Sequence, residues 1–352
     1  MKIRIIERIR NKINRPNHTW KRFINSTLNF ISKSVKCPYV FGLPESIFIE
    51  PTNTCNLKCP LCPTGSGKMK RKKGFLSYEN FKKIIDEIGD YIYYLTLTNY
   101  GEPFLNKNLL KIISYAKNKK IVISALTNAQ LIDKFYAAGI VDERLDNIII
   151  SMDGSCQTSY EKYRVGGKLC KVIEAIKLIR EEKERKNSEL PSIHIQFIVM
   201  KHNESEIEEI KNLVKELKVD KLVFKKLCNL SGFPEHLKEM ANYIPDNPDY
   251  NAYKTELNSI KWNTSKQDKN WCDMAWNYPA INWDGSLLPC CFDCENSFDL
   301  GNVLKTSFKH AWNSKKFVSL RKKLLKDKCS IPICSGCPVN FYEEIIEEVV
   351  FK

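Results

Sequence analysis

The chain has 352 residues, of which 43% are apolar, and a formal net charge of +15. That length accommodates one large α/β domain with a smaller appended one, and the apolar share is ample for a buried core. No run approaches the roughly 18 uncharged apolar residues of a membrane-spanning helix. The basic N-terminus lacks the apolar stretch and cleavage site of a signal peptide, so a cytoplasmic location is expected.

Residues 1–35 hold nine Lys or Arg against the single acid Glu7, interleaved with Ile3, Ile5, Ile6, Ile9, Ile13, Trp20, Phe23, Leu28, Phe30 and Ile31. This pattern predicts amphipathic helices broken near Pro16, in a basic extension over residues 1–45. Such a segment either lies on an anionic membrane surface or packs on the main domain with its basic face in water. From Ser46 strand and helix signals alternate. Strands are expected at Ser46–Glu50, Tyr93–Leu97, Ile121–Ala125, Asn147–Ser151, Ser192–Val199 and Lys221–Phe224. Helices are expected at Ser77–Ile88, Leu109–Lys117, Ala129–Ala138, Cys170–Lys186 and Glu204–Leu217. Alternation of this kind implies βαβ units and a parallel sheet, and six strands over residues 46–227 suit a partial (β/α)6 barrel. Residues 228–271, with Gly232, Pro234, Pro245 and Pro248, read as a linker region. Residues 272–352 read as a small, cysteine-rich domain.

Fourteen cysteines in a chain without a secretion signal point to metal rather than to disulfides. Three fall in Cys55-x3-Cys59-x2-Cys62, directly after the first strand, and seven between Cys272 and Cys337. Cys37, Cys156, Cys170 and Cys228 are scattered singly and read as structural. Three thiolates within eight residues can wrap one face of an iron–sulfur cubane and leave one iron open, whereas structural zinc takes four protein ligands. The Asn99–Pro103 and Ser151–Gly154 turns also follow strands, and in parallel α/β folds chemistry gathers at the C-terminal strand ends. The basic run Lys68–Lys73 reads as a solvated face.

The cysteine loop resembles the signature of the radical S-adenosylmethionine (SAM) superfamily, and the resemblance extends over residues 46–227. It implies a [4Fe–4S] cluster on Cys55, Cys59 and Cys62, with SAM chelated to the open iron and cleaved reductively to a 5′-deoxyadenosyl radical. Gly101-Glu102 resembles the motif that receives the SAM amino group, where a carboxylate suits a donor that keeps its protons. Ser151 and Arg164 resemble contacts to the SAM carboxylate, which a guanidinium fork matches. Asn128, just after the third strand, is a further SAM candidate.

Cys272, Cys290, Cys334 and Cys337, with the Asp284-Gly285 turn between the first two, resemble the SPASM/twitch extension. This implies one auxiliary [4Fe–4S] cluster, a layout similar to the radical SAM alcohol dehydrogenases of aminoglycoside biosynthesis; taken alone, the same cysteines could hold zinc. Cys291, Cys294 and Cys329 either shield that cluster or replace one of the four. The implied activity is hydrogen abstraction from a sugar, peptide or other small molecule, with oxidation or maturation chemistry and an electron donor such as flavodoxin or ferredoxin. Two alternatives are an RNA-modifying radical SAM enzyme, suggested by the charge, and a non-catalytic two-cluster electron-transfer protein. No RNA-binding module is recognisable, so nucleic acid is not expected as a partner.

Overall fold

The computed structural model describes residues 17–228, 239–256, 259–262, 270–335, 337 and 345–351. The first part of the basic extension and much of the linker region, including Gly232 and Pro234, lie outside the described residues.

Six strands, β1 (Ser46–Ile49), β2 (Tyr94–Leu97), β3 (Val122–Thr127), β4 (Asn147–Ser151), β5 (Ser192–Val199) and β6 (Lys221–Lys226), pair in parallel in chain order. This is the partial barrel expected from the alternation. β1 to β5 alternate strictly, and β6 does so up to Lys225. In β5, Ile193, Ile195, Phe197 and Val199 are buried, while Ser192, His194, Gln196 and Ile198 take the other, partly open face. The buried set packs under the surrounding helices, as a two-residue period requires. The open set faces the barrel interior, where Phe48, Leu126, Ser151, Gln196, Ile198 and Lys225 line one cavity.

A hairpin β7 (Tyr253–Glu256)/β8 (Ser259–Trp262) lies in the segment read as a linker. Met240, Ile244 and Tyr253 from that segment bury against Leu57 and Leu61 of the cysteine loop, so it covers the loop as well as connecting domains. The Asp284-Gly285 turn joins β9 (Ala280–Ile281) to antiparallel β10 (Leu287–Leu288), with Gly285 at φ +86°. β9 then adds in parallel to β1. At the far edge β11 (Ile345–Val350) pairs antiparallel with β6. Both edges of the barrel sheet are therefore closed by strands from beyond residue 272.

The helix expected over Ala129–Ala138 begins later, at Lys134, and runs to Asp142. Asn128 and Thr127 side chains accept from the Gln130 and Ala129 amides at 3.0 and 2.9 Å, and Ala129 adopts φ +58°. This local bonding holds a turn until Asp133 caps the helix by accepting from Tyr136 N. Gly139 sits within the helix, where its missing side chain leaves room for Leu110.

Candidate active site

The cysteine loop is pinned between two others. Lys58 N donates to Val165 O at 3.0 Å, and Glu102 N donates to Thr54 O at 2.8 Å. Gly101 makes the second contact possible: at φ +126° it turns the chain so tightly that a Cβ would run into the Thr52 carbonyl oxygen. Cys55, Cys59 and Cys62 thereby share one cavity of about 280 Å3 with Gly101, Glu102, Asn128, Ser151 and Arg164. Every core residue singled out by the sequence thus lines the same space.

Glu102 is buried at 2% exposure. Thr127 Oγ1 and Phe104 N donate to its Oε1 at 2.7 and 3.2 Å, and Asn128 N donates to Oε2 at 2.8 Å. Burial pushes its carboxyl up to about 7, against the pull of these donors. Oε2 keeps a lone pair for a ligand's N–H. The Asn128 amide turns elsewhere: Nδ2 donates to Asn56 Oδ1 at 2.9 Å and approaches Cys55 Sγ at 3.7 Å. Arg164 is held by Asp153, whose other oxygen accepts from Ile198 N at 2.7 Å. Its Nη1 lies 3.8 Å from Cys59 Sγ. The Asp153 carboxylate keeps the half-buried guanidinium charged despite its desolvation. Asp153, which the sequence suggested only as a turn residue, therefore sets the direction of Arg164.

These residues fit an iron–sulfur cluster. Burial pushes the Cys55 thiol up to about 12 and raises that of Cys59, partly offset there by Arg164. Thiols this dry stay protonated until a strong Lewis acid binds the sulfur and displaces the proton to a base. Leu57 N also points at Cys55 Sγ, at 3.4 Å, as a donor to a thiolate ligand would. As they stand, no three His, Cys, Asp or Glu side chains among the described residues are gathered closely enough to hold a single metal ion.

The C-terminal cysteines form a second group. Burial raises the Cys290 thiol well above its ordinary value, and Cys291, Cys272 and Cys337 add to the rise. Cys334 is pushed to about 12, again by burial first and Cys272 next. The Cys337 thiol is raised by burial and by Cys272. Lys328 is 3% exposed, its Nζ has no hydrogen-bond partner among the described residues, and its charge pulls down the thiols of Cys272, Cys334 and Cys337. An orphaned ammonium beside converging thiols fits an anionic thiolate-bound cluster. Cys291 belongs to this group beside Cys290 and also lines the cavity with Phe292, while Cys329 is exposed.

The basic run Lys68–Lys73 is not simply solvated. Arg71 turns inward and forms a two-point pair with buried Glu50, 2.8 and 3.1 Å long, while its Nε donates to Cys294 O. Trp283 N also donates to Glu50, at 3.3 Å. Thus Glu50, at the end of β1, ties the core to the cysteine-rich domain.

Comparisons with known proteins agree with this arrangement. Residues 49–217 match the radical SAM superfamily model and residues 272–338 match SPASM, an iron–sulfur cluster-binding domain. A tungsten-containing aldehyde ferredoxin oxidoreductase cofactor-modifying protein of Pyrococcus furiosus is 24% identical over 317 residues, covering 84% of this chain and 87% of that one. The fold is shared with the crystal structure of Streptococcus suis SuiB bound to precursor peptide SuiA, at TM-score 0.64 and 17% identity, covering 92% of this chain and 77% of SuiB. It is also shared with BtrN in complex with AdoMet and 2-DOIA, at TM-score 0.54 and 17% identity, covering 86% of this chain and 98% of BtrN. The chain belongs to the radical SAM superfamily, in the branch with a C-terminal SPASM domain, and its cofactors are SAM, a [4Fe–4S] cluster and an auxiliary iron–sulfur cluster.

Proposed function

We propose that this chain oxidises or matures a substrate by radical hydrogen abstraction at the interior end of the cavity, with the C-terminal domain contributing to the same chamber. The observation that carries this reading is the single cavity lined by Cys55, Cys59, Cys62, Glu102, Ser151 and Arg164 on one side and by Cys291 and Phe292 on another. When bound, SAM and the clusters supply the reductive cleavage, the hydrogen-abstracting 5′-deoxyadenosyl radical and an electron acceptor.

The chain's own residues hold and orient. Cys55, Cys59 and Cys62 are the ligands assigned to the first cluster, and Cys272, Cys290, Cys334 and Cys337 those assigned to the auxiliary one. Glu102 would accept a hydrogen bond from the SAM amino group at Oε2. Arg164, aimed by Asp153, and Ser151 receive the carboxylate. Asn128 steadies the cysteine loop through Asn56 and lines the cavity in which SAM would sit. Apolar Phe48, Leu126, Ile198 and Phe292 keep water from the reacting centre.

The substrate is a peptide or a small molecule; SuiB was solved with a precursor peptide and BtrN with 2-DOIA. The first electron comes from an external donor of the flavodoxin or ferredoxin kind. A simple electron carrier would have no use for a buried carboxylate and a half-buried guanidinium facing one chamber. Anaerobic reconstitution with iron and sulfide, reduction, and mass spectrometry for 5′-deoxyadenosine test the reading. Absence of that product from a fully loaded protein would end it.

A further inference from the structure

Helix α1 (Trp20–Ser34), capped by Thr19, is mounted with its polar side inward. Its buried residues are Arg22, Asn25, Ser26, Asn29 and Ser32. Arg22 donates to Lys119 O and Gly89 O at 2.7 and 3.0 Å and to Lys120 O at 2.9 Å. It thereby caps the carbonyl ends of the helices Leu109–Asn118 and Tyr78–Ile88. Asn25 Nδ2 donates to Leu43 O and Asn25 Oδ1 accepts from Leu43 N, at 2.8 and 2.7 Å, and Phe41 N donates to Ser32 Oγ at 2.8 Å.

The outward side is apolar. Trp20, Ile24, Leu28, Ile31 and Val35 recur at spacings of four, four, three and four, one stripe of a helix, with Trp20 73%, Ile24 57% and Val35 65% exposed. Phe30, Tyr39 and Phe41 are exposed as well. A surface helix normally shows water the opposite face, and a contiguous apolar patch of this kind marks a binding surface.

We propose that this face docks the enzyme on an anionic membrane surface. Charge selects that occupant. Residues 1–35 carry nine Lys or Arg and one acid; Arg22 is buried, Lys21 and Lys33 pair with Asp90 and Asp273, and the other six cations lie in residues 1–16, ahead of α1. Anionic headgroups neutralise them while the stripe enters the interface. A second copy on the same face would instead bring together two chains of net charge +15 each. The exposed Trp20 and Tyr39 are residue types that suit the headgroup level. α1 caps helices that run back to the start of β2 and β3, so the stripe lies at the barrel end opposite the C-terminal strand ends. Docking therefore leaves the catalytic chamber accessible.

The test is flotation of the reconstituted full chain with vesicles of phosphatidylcholine alone or mixed with phosphatidylglycerol. The native chain should float with the anionic vesicles, less so at high salt. The variant W20S/I24S/I31S should partition at least about tenfold more weakly, with unchanged circular dichroism and iron content. L28S/V35S, on the same face, serves if the first variant does not fold. Native chain that floats with neither vesicle, or stripe variants that float as well as native, would overturn the proposal. So would a dimer in sedimentation velocity that the stripe variants abolish without any vesicle binding. Binding kept by the stripe variants but lost on deleting residues 1–16 would assign it to charge alone and remove the role of α1.

Discussion

Arg71 reaches across the cysteine loop to meet Glu50 with both of its terminal nitrogens, at 2.8 and 3.1 Å, in a pair that water barely touches. The Glu50 carboxyl is fully buried, and its desolvation raises its proton affinity against the pull of Arg71. Removing one partner strands a charge. We expect Arg71→Ala to cost about 3 kcal/mol or more in denaturant unfolding, and Glu50→Gln/Arg71→Met to recover a good part of it. An Arg71→Ala chain as stable as native would show that the pair bears no weight.

On the proposed reading Asp153 acts on SAM through Arg164, which it holds. Asp153→Asn should weaken SAM binding by roughly tenfold to a hundredfold, because an amide neither fixes the guanidinium nor balances its charge. Iron content should stay native, since no assigned ligand changes. Equilibrium dialysis on the reconstituted variant decides it: unchanged SAM affinity removes the positioning role.

The two groups of cysteines should separate cleanly. Replacing Cys55, Cys59 and Cys62 by Ala should abolish 5′-deoxyadenosine formation while the C-terminal site keeps about four irons. Replacing Cys334 and Cys337 should remove about four irons and leave SAM binding with slow cleavage but no productive turnover. Metal also staples a small domain, so circular dichroism is recorded on the same samples. A folded Cys334/Cys337 variant with full iron would exclude those two as ligands.

Acid should weaken the barrel through its histidines. Burial, helped by Lys221, lowers the proton affinity of His194 on β5, and burial does the same for His202. With folded values below the ordinary value near 6.5, the unfolded chain binds the proton more readily. Their contribution to stability is thus complete above about pH 6.5 and is lost as the pH falls below it. His194→Gln should flatten the decline in melting temperature between about pH 6.5 and 5. An equally steep decline would place the acid sensitivity elsewhere.

The partial barrel and its two cysteine groups were legible in the linear chain, because both rest on short-range regularities. A two-residue period in Ser192–Val199 and thiol spacing at Cys55, Cys59 and Cys62 need no partner to be read. Even Glu102 and Arg164 were reachable, through motifs lying just after strands. What remained hidden depends on contacts between residues far apart. Arg71 looked like one cation in a solvated run until Glu50, 21 residues away, and Cys294 were seen around it. Asp153 looked like a turn, since Ile198 and Arg164 give it work only when β5 lies beside β4. In α1 the amphipathic pattern was plain, but a helical period says only that two faces differ. Which face turns inward was decided by the free carbonyls of Gly89, Lys119 and Leu43, which bind Arg22 and Asn25 and so leave Trp20, Ile24 and Ile31 facing out.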